Sequence, residues 1–193
     1  MRAHDRRELV LTAATAVFGE RGYVGTTTDA VARAANVSQP YVVRMFGTKE
    51  ALFLAVLERA LARLLETFRA AIAENPQSPP EEIHHRIGAS YGELLTDRGL
   101  LLSLMHAFVL GSDPEIGKAA RRGFLEVYRL LRHEAAFTAD QAQSFLAMGM
   151  LLNTLVGLRM ADDFDDADVR ELIECAAPTK ADVLVRLSRA ARV

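Results

Sequence analysis

Between Thr26 and Phe53 the chain reads TTTDAVARAANVSQPYVVRMFGTKEALF, a run of side chains with directional hydrogen-bonding chemistry. Gln39 carries an amide that gives and accepts side by side, the pattern complementary to N6 and N7 of adenine. Arg44 carries the fork that matches guanine, and Pro40 and Val43 offer apolar surface for a thymine methyl. Thr27, Thr28 and Lys49 fall at expected helix N-termini, which suit phosphate oxygens. Ser38 is placed to cap a helix opening at Gln39, since a hydroxyl there satisfies an N–H that the first turn leaves unpaired. Gln39 and Tyr41 project from the exposed first turn of that helix. Together these residues have the chemistry of duplex DNA recognition. The alternative for Tyr41 and Val43 is that both are core; Phe46 is core on either reading.

Two short helices with a tight turn at Asn36 and Val37 must hold these groups, the arrangement by which a second helix enters a major groove. A first helix is expected from Asp5 to Arg21, with Val10, Ala13, Ala14, Val17 and Phe18 as its apolar stripe and Gly22 ending it. Arg2, Arg6 and Arg7 at its start are either a solvated helix end or an arm touching phosphates. The second helix spans Asp29 to Ala35, capped by Thr27 or Thr28. The third runs from Gln39 to Phe46, with Pro40 in its first turn, where a missing N–H costs nothing. Thr48 caps a fourth helix whose stripe, from Phe53 to Phe68, carries it to about Ala73, a rod of roughly 37 Å. Asn75 to Pro80 stops it.

Further helices are expected over Glu81–Thr96, Leu100–Leu110 (apolar on most sides and so buried), Pro114–Ala136, Ala139–Ala161, Val169–Ala177 and Thr179–Ala191. Thr138 to Gln141 has capping-box spacing. No stretch alternates with period two, so the fold is all-α: a three-helix head over 1–47 that binds DNA, and a larger C-terminal helical domain over 48–193 for ligand binding and dimerisation.

Bulk properties narrow the field. The chain has 193 residues, half of them hydrophobic, and one cysteine, which excludes an internal disulfide framework and makes a reducing, cytoplasmic setting the expectation. The N-terminus lacks the pattern of a signal peptide. Phe145 to Leu158, the most apolar run, is shorter than the ~18–20 residues that span a bilayer. Residues 1–50 carry +2 and the remainder −4, a weakly basic head on an acidic body. Enzyme motifs of the His-Glu-x-x-His or Gly-x-Ser-x-Gly kind are lacking. His84 and His85 are adjacent and diverge on a helix, and Cys175 stands alone, so neither metal nor cofactor is expected and catalysis is not the reading.

Phe18, Gly22, Thr27-Thr28, Val31-Ala32, Val37-Ser38-Gln39-Pro40, Phe46, Lys49 and Leu52-Phe53 together resemble the TetR/AcrR family of bacterial transcriptional regulators, over about the first quarter of the chain. Gln39-Pro40 resembles the family's name-giving repressor. Val43 departs from the pattern: the family has an aromatic there, usually Tyr, that touches a backbone phosphate. Valine cannot make that contact, and Tyr41, where many members have a small residue, stands near enough to take it over.

The resemblance implies a homodimer built on a four-helix bundle from the last two large helices. The residues point the same way: Phe145, Met148, Met150, Leu151, Leu152, Leu155 and Val156 clothe Ala139–Ala161 almost all round, more than one small domain can bury. The partner helix is one of the two segments after Asp165. Two heads then meet half-sites ~34–36 Å apart on a pseudo-palindromic operator. The family also implies a small-molecule inducer, here apolar, lodged among Phe68, Tyr91, Met105, His106, Phe108, Phe124, Tyr128, Met148 and Asn153. The alternative is that this stripe is plain core and His106 a satisfied core histidine. A repressor released by its ligand is the first expectation. An activator or co-repressor-dependent regulator of the same fold is the second, and a helical interaction module that no longer reads DNA the third.

Overall fold

A computed structural model describes residues 3–178 and positions 181, 184 and 185. Among these residues every regular element is helical: α1 (Ala3–Gly25), α2 (Thr28–Ala34), α3 (Gln39–Phe46), α4 (Lys49–Ala73), α5 (Pro80–Leu94), α6 (Arg98–Val109), α7 (Pro114–Arg129), α8 (Ala139–Gly157) and α9 (Ala167–Ala176). Among the same residues, no helix is long and apolar enough to cross a membrane. The helix expected over 179–191 lies outside the described residues apart from positions 181, 184 and 185.

Local chemistry sets most helix starts. Thr27 Oγ1 accepts from Ala30 N at 3.1 Å and Thr48 Oγ1 from Ala51 N at 3.0 Å. Asp113 Oδ1 accepts from Ile116 N at 2.8 Å ahead of α7, and Thr138 and Gln141 close a full capping box on α8. Ser38 departs from expectation: it is the N-cap residue of α3, yet its hydroxyl makes no cap hydrogen bond. Pro40 has removed one of the N–H groups it would have served, and Tyr41 N already donates to the Ser38 carbonyl at 3.0 Å. Helix ends deviate too. After α7 the chain widens into a π turn, Leu130–Glu134, in place of α-helix to Ala136. α8 stops at Gly157, four residues early; Arg159 takes a left-handed conformation (φ 55°) and a short 3-10 turn, Met160–Asp163, follows.

The chain forms two compact units. The first joins the described residues up to Arg63 with Arg98–Leu125. Its core holds Phe18, Val31, Val42, Leu52, Phe53 and Val56, with the Phe18 and Phe53 rings 4.8 Å apart. α6 belongs here because α1 and α6 meet through glycines: a Cβ on Gly19 would fall 2.7 Å from Gly99 Cα. Ser103 Oγ donates to Gly99 O at 2.7 Å and lies 3.4 Å from Thr15 O. α6 is less buried than its composition implies, since Val109 is 78% exposed.

The second unit comprises Leu64–Asp97 and the described residues from Glu126 onward. Phe68, Ile87, Leu95, Leu130, Leu131 and Ile173 are its fully buried side chains. Arg86 ties the end of α4 to α5, donating to the carbonyls of Ala71 (3.0 Å) and Asn75 (3.0 Å), to Ser78 Oγ (3.1 Å) and to Glu82 Oε1 (3.1 Å). Those bonds satisfy carbonyl groups where α4 runs out of N–H partners.

Candidate nucleic-acid interface

α2 and α3 are joined by a turn that few residues could make. Asn36 sits at φ 51°, a left-handed position Asn tolerates. Asn36 N donates to Arg33 O at 3.1 Å and Val37 N to Ala32 O at 3.0 Å, which closes α2 as α3 begins. Val31, Ala32 and Ala35 bury one side of α2, and Val42 is the fully buried anchor of α3. Fixing Val42 inward turns Pro40, Val43 and Arg44 outward, spaced i, i+3 and i+4 on one helical face. All three are exposed, as are Thr27 and Ser38, while Thr28, Gln39, Tyr41 and Lys49 are half-buried. Val43, at 38% exposed, is not core, and Tyr41 is only partly so.

Three contacts order this surface. Gln39 Nε2 donates to Thr28 Oγ1 at 3.2 Å, joining the first turns of α2 and α3. Lys49 Nζ donates to Tyr23 O at 3.0 Å and lies 4.5 Å from the centre of the Tyr23 ring, so the start of α4 holds the chain just after the Gly22 kink. An ammonium has three donors, and one bond to a carbonyl leaves others to reach phosphate. Arg7 stands over the Phe46 ring at 5.4 Å, which fixes the start of α1 beside the end of α3 and makes it more than a loose solvated end. Burial first, then the charges of Glu50 and Asp113, hold the Tyr23 phenol above its ordinary value. None of these pairings has a spacing signal; their partners lie 11, 26 and 39 positions apart along the chain.

The residues expected to hold a ligand divide between the units. Phe68, Tyr91, Tyr128, Met148 and Asn153 belong to the second. There Tyr91 donates its O–H to Asn153 Oδ1 at 2.6 Å, beside Phe68 (6.1 Å) and Phe145 (6.3 Å), and burial pushes the Tyr91 phenol up to about 12. Phe137 and His84 extend this aromatic cluster, and neither was among the expected residues. Met105, His106, Phe108 and Phe124 belong to the first unit. His106 is seated on α1: its Cε1 would lie 3.2 Å from a Cβ on Gly22, and its Nε2 is 3.4 Å from Gly19 O. Phe124 and Met148, at 41% and 44% exposed, are too open to wall an enclosed apolar site. Met148 is instead exposed on α8, as is Leu158 at the C-cap of that helix.

Residues 10–56 match the sequence profile described as bacterial regulatory proteins, tetR family. Over those residues the chain is similar to that family. The tetR-family match ends inside α4 and so contains the whole α2–turn–α3 surface. Two relatives are similar over part of the chain. The HTH-type transcriptional regulator YhgD of Bacillus subtilis is 38% identical over 82 residues, 42% of this chain and 42% of its own length. The HTH-type transcriptional activator FasR of Mycolicibacterium smegmatis is 40% identical over 68 residues, 35% of this chain and 31% of its own length. The chain thus spans less than half of either relative. A TetR-like transcriptional regulator from Rhodococcus sp. RHA1 has the same fold throughout, with a TM-score of 0.68 over 99% of this chain and 97% of that one, at 22% identity.

Proposed function

We propose that the chain is a DNA-binding transcriptional regulator of the cytoplasm that acts as a homodimer on a pseudo-palindromic operator. The observation that carries this is the outward face of α3. A hydrogen-bonding amide, a guanidinium and two small apolar surfaces (Gln39, Arg44, Pro40 and Val43) stand together on a helix held by the buried Val42. Thr27, Thr28, Ser38, Tyr41 and Lys49 surround that face and are assigned to phosphate oxygens. α8 and α9 form the dimer face, since Met148 on α8, Leu158 at its C-cap and Leu172 on α9 remain exposed on elements whose other sides are packed. The effector is a small, mainly apolar molecule. Its site is assigned to Phe68, Tyr91, Tyr128 and Asn153, where one polar pair is set among aromatic rings.

The first reading is a repressor released by its ligand. The name of FasR, an activator, favours the second, in which the same head recruits transcription. A mobility shift on DNA flanking the gene, titrated with salt, tests the common part: affinity falls steeply as ionic strength rises. Binding that ignores salt, or no binding to any fragment, would remove the proposal. Transcription from a bound promoter, with and without the protein, separates repressor from activator.

A further inference from the structure

We infer that Thr28 is a positioning residue that sets which base Gln39 reads; this rests on the DNA-reading role proposed above. Gln39 Nε2 lies 3.2 Å from Thr28 Oγ1. Thr27, not Thr28, caps α2, and the two helices are anchored by Val31, Ala35 and Val42. What the bond does is remove a freedom. A glutamine amide rotates by half a turn at little cost, exchanging its acceptor for its donors. With Nε2 held on Thr28 and the hydroxyl proton committed elsewhere, the hydroxyl cannot donate to a turned Oε1, so that exchange is opposed and Oε1 stays the acceptor on the outward side. The hydroxyl still has its own proton, and at the positive end of α2 it can donate to a phosphate oxygen. A single threonine then links a backbone contact to a base contact.

The locked sense of the amide has a definite consequence in the major groove. Adenine offers the N6 donor beside the N7 acceptor, whereas guanine offers acceptors at both O6 and N7. An outward Oε1 faces the adenine amine favourably and the guanine carbonyl unfavourably. A free amide could turn its NH2 to guanine and lose most of that distinction. Thr28 therefore selects adenine over guanine at the pair Gln39 reads.

The test uses the full chain and fragments enriched by it from a random duplex pool. Competition binding with Gln39→Ala first locates the base pair whose preference disappears. At that pair the A-to-G preference of the unaltered chain is expected to be roughly tenfold or more, falling to about twofold in Thr28→Val. Thr28→Ser, which keeps the hydroxyl, restores the preference to within about twofold of the original. In the Gln39→Ala background, Thr28→Val changes that preference no further. Thr28→Val that keeps the A-to-G ratio, or that weakens all fragments equally, would overturn the inference while leaving DNA reading intact. So would Gln39→Ala altering no pair in an otherwise sequence-specific protein. Absence of salt-sensitive binding to any fragment would remove both.

Discussion

The same substitution, glycine to alanine, should have opposite signs at two helical positions, and the difference can be worked from local geometry. In a helix interior the change is worth about 0.5–1 kcal/mol in favour of alanine, because glycine loses more backbone freedom on folding. Gly88 lies inside α5, is exposed, and has nothing within 4 Å of where a Cβ would sit. Gly88→Ala should therefore realise most of that gain. At Gly19 the new carbon would meet the Gly99 backbone, with Cα at 2.7 Å and O at 2.9 Å. Ordinary carbon contacts lie near ~3.5–4.0 Å, so α1 and α6 must part by about 1 Å. The obstacle is main chain, which cannot rotate aside as a side chain does. Overpacking of this kind costs about 1–3 kcal/mol, and parting the helices also stretches the Ser103 bond to Thr15 O and the His106 contact with Gly19 O. Net of the propensity gain, Gly19→Ala should destabilise by about 1–2 kcal/mol. At ~2–4 °C per kcal/mol for a chain of this size, Tm falls by several degrees, while Gly88→Ala raises it by about 1–3 °C. Thermal and urea unfolding followed by circular dichroism read both. A Gly19→Ala variant as stable as Gly88→Ala would refute the close α1–α6 approach.

Other perturbations test other parts. Arg44→Ala should cost about 1–3 kcal/mol of specific binding and relax discrimination at one base pair, read by competition with single-pair operator variants. Leu158 is 65% exposed, so Leu158→Asp should change protomer stability by no more than about 0.5 kcal/mol yet dissociate the dimer in sedimentation velocity. A dimer that survives it would move the interface off the C-terminal end of α8. Tyr91→Phe leaves Asn153 Oδ1 buried without its donor and should cost about 1–3 kcal/mol at neutral pH. The Tyr91 phenol is raised in the folded state, to about 12, so its contribution is complete below about 10 and is lost as pH rises toward 12. Alkaline destabilisation across that window should shrink in Tyr91→Phe, with a smaller part remaining from Tyr23, which is also raised. Arg69→Ala breaks a two-bond pair with Glu134, whose carboxyl that guanidinium holds below its usual value. Both side chains are more than a third exposed, so the loss at neutral pH should stay under about 1 kcal/mol. Because the carboxyl is depressed, that loss disappears on acidification through its lowered range.

What could be read from the sequence is what residues close along the chain decide among themselves. Thr27, Thr48 and the Thr138–Gln141 box each act on an N–H three positions on, and each was legible as a helix start. α3 was legible to the residue for the same reason, with Ser38, Pro40 and Gly47 bracketing it within ten positions. Even there one local rule competed with another, and Pro40 left the Ser38 hydroxyl without its cap bond. Pairings across greater separations carry no periodic signal. Gly19 with Gly99, and His106 with Gly19, put α6 in the unit that holds the head and set His106 against α1. Composition misled in the same way: an apolar helix such as α6 suggests burial all round, but only the neighbours it meets decide which side is covered, and Val109 meets none that cover it.

Lys49 shows where the two kinds of information join. Its place one residue after the Thr48 cap marks it for phosphate, since a helix start presents N–H groups to an anion. A lysine there is also repelled by the helix dipole, so something must hold it. The Tyr23 carbonyl and ring do so, across 26 residues, and they anchor the segment between the Gly22 kink and α2 on which Thr27 and Thr28 depend. Lys49→Met should consequently weaken DNA binding twice over. It removes a cation, which lowers the salt slope by about one, and it loosens the α1–α2 segment that sets the two threonines. Arg44→Lys keeps the charge and does not touch that segment, so it should leave the slope near its original value. Equal slopes in Lys49→Met and the unaltered chain would take Lys49 off the phosphates and leave it a structural tie alone.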